Sequence, residues 1–455
     1  MIATAPSRDR NLLSVLGVAF GVAVTMGATI GAGILRTPGT IASLLGSAWA
    51  VVAIWLFGGL YALLSAVTVA ELSTMIPKAG GFYVFARRAF GESAAFGVGW
   101  CDWLGNCAAI AYAAIMLGEL LSPLISRMIP QLSGTVTAIA AVTILLFTGL
   151  HWTGLRAGSG AQKLTSSLIA IAFLCLITAA FFWGDKPLAA GQSLVPRSTA
   201  TVFGTALGSI MIAFRTVVVA YDGWYSAIYF SEEDRNPGRN LPRSMIGGVL
   251  IVIAIYILVN LSFLRVLSMQ QLAASKLPAR DVANLLFGVH GGQVITILSA
   301  LIGLALMNAC LLSATRILFA MSRDGLFWPR AAIVSAGGTP RLALLISVGL
   351  SVALALSGTF EKLLAMAGCF YVVLHCSSFL SLFVLRRSEP LTSRPFRVWS
   401  YPYVPLFVLM VGIGSLIGSV LSDPVNGLTA LILLALSYPA YLLTRRLTKR
   451  AFLIT

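Results

Sequence analysis

Two glycine-containing segments interrupt long apolar stretches of the chain, and their residue types suit the binding of a small dipolar solute. The first segment is residues 27–33, GATIGAG, and the second is residues 220–224, AYDGW. A glycine inside a helix costs about 1 kcal/mol relative to alanine. Both segments are therefore predicted to be points at which a helix is broken.

A broken helix exposes backbone groups that can bind a ligand. N–H groups lose their partners at the amino end of one half, and C=O groups lose theirs at the carboxyl end of the other. The N–H end favours an anion and the C=O end favours a cation, and an amino acid presents both charges one carbon apart. The N–H groups predicted to bind the carboxylate are those of Gly31, Ala32 and Gly33. The C=O groups predicted to bind the ammonium group are those of Thr29, Ile30, Val219 and Ala220.

Side chains beside the second break are the nearest candidates for selecting the solute, and they are Tyr221, Asp222 and Trp224. For the first break there is an alternative, because Gly27 and Gly31 have the spacing at which small residues pack two helices closely. Close packing does not explain why a second interrupted span bears an acid. We therefore favour a binding site formed by both breaks.

Ionisable residues inside membrane spans are costly and are functional-site hypotheses by default. Asp222 is the sharpest case because it lies within a break, with helix capping as the alternative. Asp102 is also consistent with a structural hydrogen-bond acceptor. Glu71 and Glu119 lie near span ends, where solvation is favoured, and Arg215 is expected either to serve the site or to extend outward to the interface.

The elements that must position these residues are membrane helices. The 455-residue chain is 58% hydrophobic and 10% charged, with a mean hydropathy of +0.93. Apolar runs of about 20 residues, long enough to span a bilayer, recur throughout, without the pattern of a β-barrel or a cleaved signal peptide. The twelve predicted spans are approximately 14–35, 47–70, 95–122, 133–152, 164–184, 203–230, 244–268, 290–320, 342–358, 361–386, 402–421 and 426–444.

The net charge of +16 indicates membrane topology and not a nucleic-acid partner. With the amino terminus inside, the inner loops, helix ends and tails carry roughly 22 of the 31 Lys and Arg residues and the outer ones roughly 8, which leaves only Arg215 within a span. We therefore predict a multi-pass inner-membrane protein with both termini in the cytoplasm.

The two breaks are separated by five spans, and interrupted helices at matching positions in two halves indicate an inverted repeat. One membrane domain is predicted over residues 1–455, with repeats at 14–184 and 203–386 and two added helices at 402–444. The mixed polar and apolar stretch 269–289 suits a short external helix over an entrance. All six cysteines fall within predicted spans, so none is predicted to form a disulfide.

Four segments together resemble the amino acid–polyamine–organocation superfamily. The first is residues 27–34, GATIGAGI. The second runs over residues 70–91 and contains AEL, PKAGGFY and FG. The third is residues 220–243, with AYDGW, two glutamates and NPGRNLPR, and the fourth is residues 322–329, with SRDG and a proline. The resemblance covers most of the chain.

This resemblance implies a LeuT-type fold, alternating access, and uptake or exchange of amino acids. It carries the backbone site onto Ile30, Gly31, Ala32, Gly33, Val219 and Ala220.

The chain departs from its relatives in three places. Val219 replaces an aromatic gate, and Leu168 lies where relatives often place a lysine three residues after a threonine that resembles Thr165. The loop 123–132 lacks the cysteine that joins some relatives to a heavy chain, so no disulfide-linked heavy chain is predicted.

The sequence thus predicts an amino acid transporter that works as an exchanger or a proton-linked symporter. One alternative is a polyamine or cationic amino acid carrier, in which Asp222 or Asp102 neutralises a second positive charge. A remote alternative is an amino acid receptor or channel. No cofactor, metal or enzymatic activity is predicted, because the histidines His151, His290 and His375 are scattered along the chain.

Overall fold

The computed structural model describes residues 12–128, 136–184, 206–357, 360–422 and 424–452. Within these ranges the chain is helical and contains no β-strand, apart from one isolated bridge between Leu16 and Asp234. The first eight α-helices are α1 (Val18–Thr29), α2 (Gly33–Leu45), α3 (Ala48–Met75), α4 (Phe82–Phe90), α5 (Glu92–Met128), α6 (Val136–Thr153), α7 (Leu155–Trp183) and α8 (Ala206–Ala220). The remaining eight are α9 (Pro237–Val266), α10 (Met269–Ala274), α11 (Pro278–Phe287), α12 (Gly291–Arg323), α13 (Arg341–Ser357), α14 (Phe360–Ser388), α15 (Tyr403–Ser422) and α16 (Pro424–Phe452).

Seven of the described helices are long and apolar enough to cross a membrane, and the bent pair α1 and α2 makes an eighth span if it is counted as one. The seven come from α3, α5, α6, α7, α9, α12 and α14. Shorter apolar helices occur within α8, α13, α15 and α16. Every predicted apolar run therefore contains helix, and the chain is an integral membrane protein.

The first break lies between α1 and α2, where the helix axis bends by 48°. Helix α1 ends at Thr29, and α2 begins at Gly33. The Gly31 N–H donates to the Thr29 carbonyl at 2.8 Å, which closes a tight turn in place of the helical pattern. The predicted interruption of the first span is confirmed.

The second break follows α8. After Ala220 the chain forms turns over residues 221–225 and then a short 3-10 helix, Ser226–Phe230. Gly223 has a φ of +116°, and a Cβ there would lie 2.6 Å from the carbonyl carbon of Ala28 and 2.7 Å from the Thr29 nitrogen. Glycine is therefore required twice over, for its backbone conformation and for its lack of a side chain. It allows the second break to pack directly against the first.

Around this junction, α9 packs against α1 and α3, and α12 packs against α5 and α7. The stretch predicted as one external helix forms two, α10 and α11. The segment that connects these two helices packs closely against α2, because a Cβ at Gly39 would lie only 2.5 Å from the Ser275 carbonyl oxygen. The mixed stretch thus covers the second half of the broken helix.

Glu71 on α3 is buried and ion-paired, so its predicted solvation is wrong. Arg386 donates to both carboxylate oxygens, at 2.8 and 2.6 Å, and the Arg394 Nε lies 3.2 Å from Oε1. The backbone N–H of Val398 adds a donor at 2.8 Å. The segment after α14 folds back over the end of α3 and excludes water. Glu119, in contrast, is exposed, as predicted.

A second buried ion pair joins α12 to the segment after the 3-10 helix. Arg316 donates to both oxygens of Glu233, at 3.1 and 2.8 Å, and both side chains are at most 1% exposed. The guanidinium also lies 5.6 Å from the centre of the Phe230 ring. Arg215 is therefore not the only arginine held within a helix of the membrane domain.

We predict that Glu71→Gln destabilises the protein by about 3 kcal/mol, because it removes a buried carboxylate from two arginines, of which the Arg394 side chain is only 3% exposed. The measurement is the thermal unfolding midpoint in detergent. The matched control is Glu389→Gln, which breaks a more exposed pair with Arg88 (2.9 Å) and should cost under about 1 kcal/mol. Equal losses in the two variants would contradict the burial argument.

Candidate functional site

The amino end of α2 has free backbone donors. Among the described atoms, the N–H groups of Ala32, Gly33 and Ile34 have no hydrogen-bond acceptor, and no side chain caps this helix. The Gly31 N–H, which was predicted to bind the carboxylate, is used instead by the turn to Thr29. The positive end of α2 therefore remains available to an anion.

The backbone is open on one side at Gly31. A Cβ there would find its nearest neighbours, the Gly33 nitrogen and the Thr29 oxygen, 4.0 Å away. At Gly27 the situation is opposite, since a Cβ would lie 2.1 Å from the Gln162 amide nitrogen. Close packing thus accounts for Gly27 and not for Gly31. The open position is the one beside the free N–H groups.

The carboxyl ends of α1 and α8 are linked by a side chain that the sequence reasoning missed. The Tyr256 hydroxyl lies 2.9 Å from the Thr29 carbonyl oxygen and 3.0 Å from that of Ala220. These two carbonyls, which were predicted to bind the ammonium group, therefore share a side-chain partner from α9. The Val219 carbonyl accepts from the Asp222 N–H at 3.2 Å, whereas no donor reaches that of Ile30 within the described part of the chain.

The side chains of the second break point in different directions. The Tyr221 ring is buried against Trp55 and Tyr256, with centroids 5.8 and 4.8 Å apart, so it supports the junction from the α3 and α9 side. Val219 is 54% exposed.

The buried Trp224 ring stacks on Phe379, with centroids 6.4 Å apart. Of the three side chains predicted to select the solute, Asp222 and Trp224 face α14.

Asp222 meets a histidine that was not predicted to belong to the site. Its Oδ1 lies 3.4 Å from the His375 Nε2 on α14, and neither atom has a hydrogen-bond partner among the described residues. The imidazole is enclosed by the rings of Trp224, Tyr225 and Phe82, with centroids 5.0, 5.0 and 5.7 Å away. A buried polar pair with unused hydrogen-bonding capacity lies beside the second break.

Asp102 on α5 is a hydrogen-bond acceptor away from the two breaks. Its Oδ1 accepts from the Tyr229 hydroxyl at 2.7 Å and from the Asn106 amide at 3.0 Å. This pattern agrees with the structural interpretation of Asp102. Arg215 on α8 donates to the Gly418 carbonyl on α15 at 2.7 Å.

The face of α7 that touches α1 carries neutral polar groups. Ser166 donates to the Ala23 carbonyl at 2.7 Å, and the Gln162 amide lies 3.5 Å from the same oxygen. Gln162 in turn accepts from Asn308 on α12 at 2.7 Å. Leu168, which was compared with a lysine of relatives, is 39% exposed and turned away.

Thr165 is the threonine from which the position of that lysine is counted. Its hydroxyl donates to two backbone carbonyls of its own helix, those of Ala161 and Gln162. Position along α7 alone does not show which residues face α1. Of the loop expected to lack a bridging cysteine, 123–132, the last four residues lie outside the described part of the chain. In the described part, Cys101, Cys107, Cys175, Cys310 and Cys376 are free thiols.

Comparison with known proteins agrees with this architecture. The family model "Amino acid permease" matches residues 11–436. The serine/threonine exchanger SteT of Bacillus subtilis (strain 168) is 28% identical over 443 residues, covering 96% of this chain and 98% of that protein. The mouse (Mus musculus) b(0,+)-type amino acid transporter 1 is 25% identical, covering 92% and 85%. The rabbit (Oryctolagus cuniculus) large neutral amino acids transporter small subunit 2 is 27% identical, covering 94% and 80%.

The fold and the paired breaks thus define a membrane transporter of small solutes, and the chain belongs to the amino acid permease family of the amino acid–polyamine–organocation superfamily. It is a secondary amino acid transporter.

We predict that Gly31→Leu abolishes uptake while the protein still folds, because the side chain fills the open space beside the free N–H groups of α2. Uptake in proteoliposomes and the thermal unfolding midpoint are the measurements. The control is Gly349→Leu on α13, an exposed glycine whose Cβ would meet nothing within 4 Å. Normal uptake by Gly31→Leu would place the carboxylate elsewhere.

Proposed function

We propose that this permease has twelve spans in a LeuT-type inverted repeat and exchanges amino acids across the inner membrane by alternating access. The observation that carries the proposal is the direct contact of the two broken helices at Gly223, beside free N–H groups at the start of α2. In the proposed repeat, residues 14–184 and 203–386 are the two inverted halves, and residues 402–444 are appended. Both termini lie in the cytoplasm.

In this proposal the substrate is held by its backbone. The carboxylate binds the N–H groups of Ala32, Gly33 and Ile34, which form the positive end of α2. The ammonium group binds on the other side of the break, at the Ile30 carbonyl and the carboxyl ends of α1 and α8. These contacts are common to all α-amino acids, so the side-chain preference depends on the groups beyond them, chiefly Asp222 and Trp224.

Exchange is favoured over ion-driven symport. The side chains that join α1, α7 and α12 are the neutral Gln162, Ser166 and Asn308, and they bond one another and the α1 backbone. These contacts include no lysine, and the network continues through Asn308 to the buried imidazole of His151, whose Nε2 lies 2.8 Å from the Asn308 Oδ1. SteT, which is an exchanger by name, is similar along its whole length. Proton-linked symport is the second candidate within this class, and no disulfide-linked heavy chain is proposed.

A carrier of cationic amino acids or polyamines is the alternative that one observation favours. Asp222 is a partly buried acid at the second break, and its nearest basic neighbour is His375 at 3.4 Å. A carboxylate with a free oxygen attracts a second positive charge on a substrate. A receptor or a channel would show no saturable counterflow.

The test of exchange uses the purified protein in liposomes preloaded with one amino acid at a time. We expect uptake of a labelled neutral amino acid to rise at least several-fold when unlabelled amino acid is present inside, and to be saturable. Imposed proton or sodium gradients without internal amino acid should give little uptake. Uptake driven by a proton gradient into empty vesicles would contradict exchange and favour symport.

A second prediction separates the neutral from the cationic substrate class. If neutral amino acids are the substrates, Asp222→Asn should leave their KM within about threefold of the unmodified protein, because a neutral substrate side chain brings no charge to pair with Asp222. A loss of at least tenfold confined to cationic substrates would instead favour the alternative. The control is Glu119→Gln, an exposed carboxylate on α5.

A further inference from the structure

The backbone contacts of the proposed site do not use the pair formed by Asp222 and His375. The two facing atoms, the Asp222 Oδ1 and the His375 Nε2, are 3.4 Å apart, and each is buried without a hydrogen-bond partner among the described residues. A good hydrogen bond between nitrogen and oxygen is shorter, at about 2.7–3.2 Å. Because buried polar atoms in proteins are nearly always hydrogen-bonded, the pair lacks a third group that would satisfy both atoms.

Asp222 lies among helices of the bundle interior, beside the second break. It follows the last residue of α8 by two positions, and His375 lies on α14. The charge of Asp222 acts on side chains of three further helices, Tyr61 on α3, Tyr112 on α5 and Cys310 on α12. Its side chain is 23% exposed, whereas that of His375 is 8% exposed. The pair is therefore accessible from its Asp222 side.

Aromatic rings hold the His375 imidazole in place. Its centroid lies 5.0 Å from those of Trp224 and Tyr225 and 5.7 Å from that of Phe82. One turn further along α14, the Phe379 ring stacks on Trp224 and closes the enclosure. An imidazole packed in this way keeps its orientation, so its Nε2 atom stays directed at the second break.

The missing group must donate and accept hydrogen bonds at the same point. A carboxylate oxygen only accepts, and the facing carboxylate favours the imidazole tautomer that carries its hydrogen on Nε2. A hydroxyl is the smallest group that can donate to the one and accept from the other, and its oxygen can lie about 2.8 Å from both atoms at once. An alkyl group would leave both atoms unpaired, and an ammonium group would direct its own donors at the imidazole N–H.

We propose that His375 is a specificity-determining residue that, together with Asp222, binds a hydroxyl group on the side chain of the substrate. The hydroxyl donates to the Asp222 Oδ1 and accepts from the His375 Nε2. The favoured substrates are amino acids with a short hydroxyl-bearing side chain, because Asp222 directly follows the carboxyl end of α8, at which the ammonium group is proposed to bind. This inference rests on the proposed function and names the substrate class of that site.

The test compares threonine with valine, in which a methyl group replaces the hydroxyl. In proteoliposomes we expect the KM of the unmodified protein to be at least about tenfold lower for threonine, because valine leaves both atoms of the pair unsatisfied. His375→Phe keeps a planar ring among the same aromatic neighbours and removes both nitrogens. It should raise the KM for threonine on the order of tenfold and bring the two KM values within about threefold of each other.

The conservative variant is His375→Gln, whose amide nitrogen can reach the position of Nε2. It should restore a preference for threonine of at least about fivefold. A merely structural role would weaken threonine and valine equally in both variants, and that result would overturn the proposal. If His375→Phe does not fold, the smaller His375→Leu takes its place, with the same expected ratio of KM values.

The matched control is His290→Phe, the same change at an exposed histidine just before α12, and both KM values should remain those of the unmodified protein. Equal KM values for threonine and valine in the unmodified protein would overturn this inference and leave the proposed function standing. Selective uptake of lysine that rises in His375→Phe would also overturn it and favour a carrier of cationic substrates. Failure to transport any amino acid would refute the proposed function and this inference with it.

Discussion

The structure depends on how backbone groups find hydrogen-bond partners where water is absent. In a membrane, an interrupted helix is tolerated only when its cut ends are buried in protein or line a cavity. This chain interrupts two helices and brings the cut ends together. Gly223 permits the contact, because any side chain there would collide with the Ala28 backbone. The same contact leaves the start of α2 with free donors and crowds two negative helix ends against one hydroxyl.

Charged and neutral side chains occupy different places around this junction. Fully paired, buried carboxylates lie near helix ends, at Glu71 with its two arginines and at Glu233 with Arg316. The contacts of α1 with α7 and α9 are made by neutral groups, including Ser166 and Tyr256. Neutral hydrogen bonds contribute about 1 kcal/mol each, so they can be exchanged for substrate contacts at low cost. Buried ion pairs are far more costly to open, because separating the partners leaves an uncompensated buried charge.

The helices and both breaks could be predicted from the sequence. Several residues of the candidate site could not, for a physical reason. The helices and both breaks follow from hydrophobic runs and from glycines, which act through the local chain. Tyr256, His375 and Gln162 could not be placed, because which face of a neighbouring helix meets the site depends on packing and not on local pattern. Glu71 was misjudged for a similar reason, since the segment that buries it lies more than 300 residues away in the chain.

A structure in lipid nanodiscs with a bound amino acid is the measurement that shows whether a substrate completes the hydrogen bonding of the two breaks. We expect the carboxylate about 3 Å from the N–H groups of residues 32–34, with the ammonium group beside the Ile30 carbonyl and the carboxyl ends of α1 and α8. Density for the amino acid at another place, or continuous helix through residues 29–33 and 219–223, would contradict it.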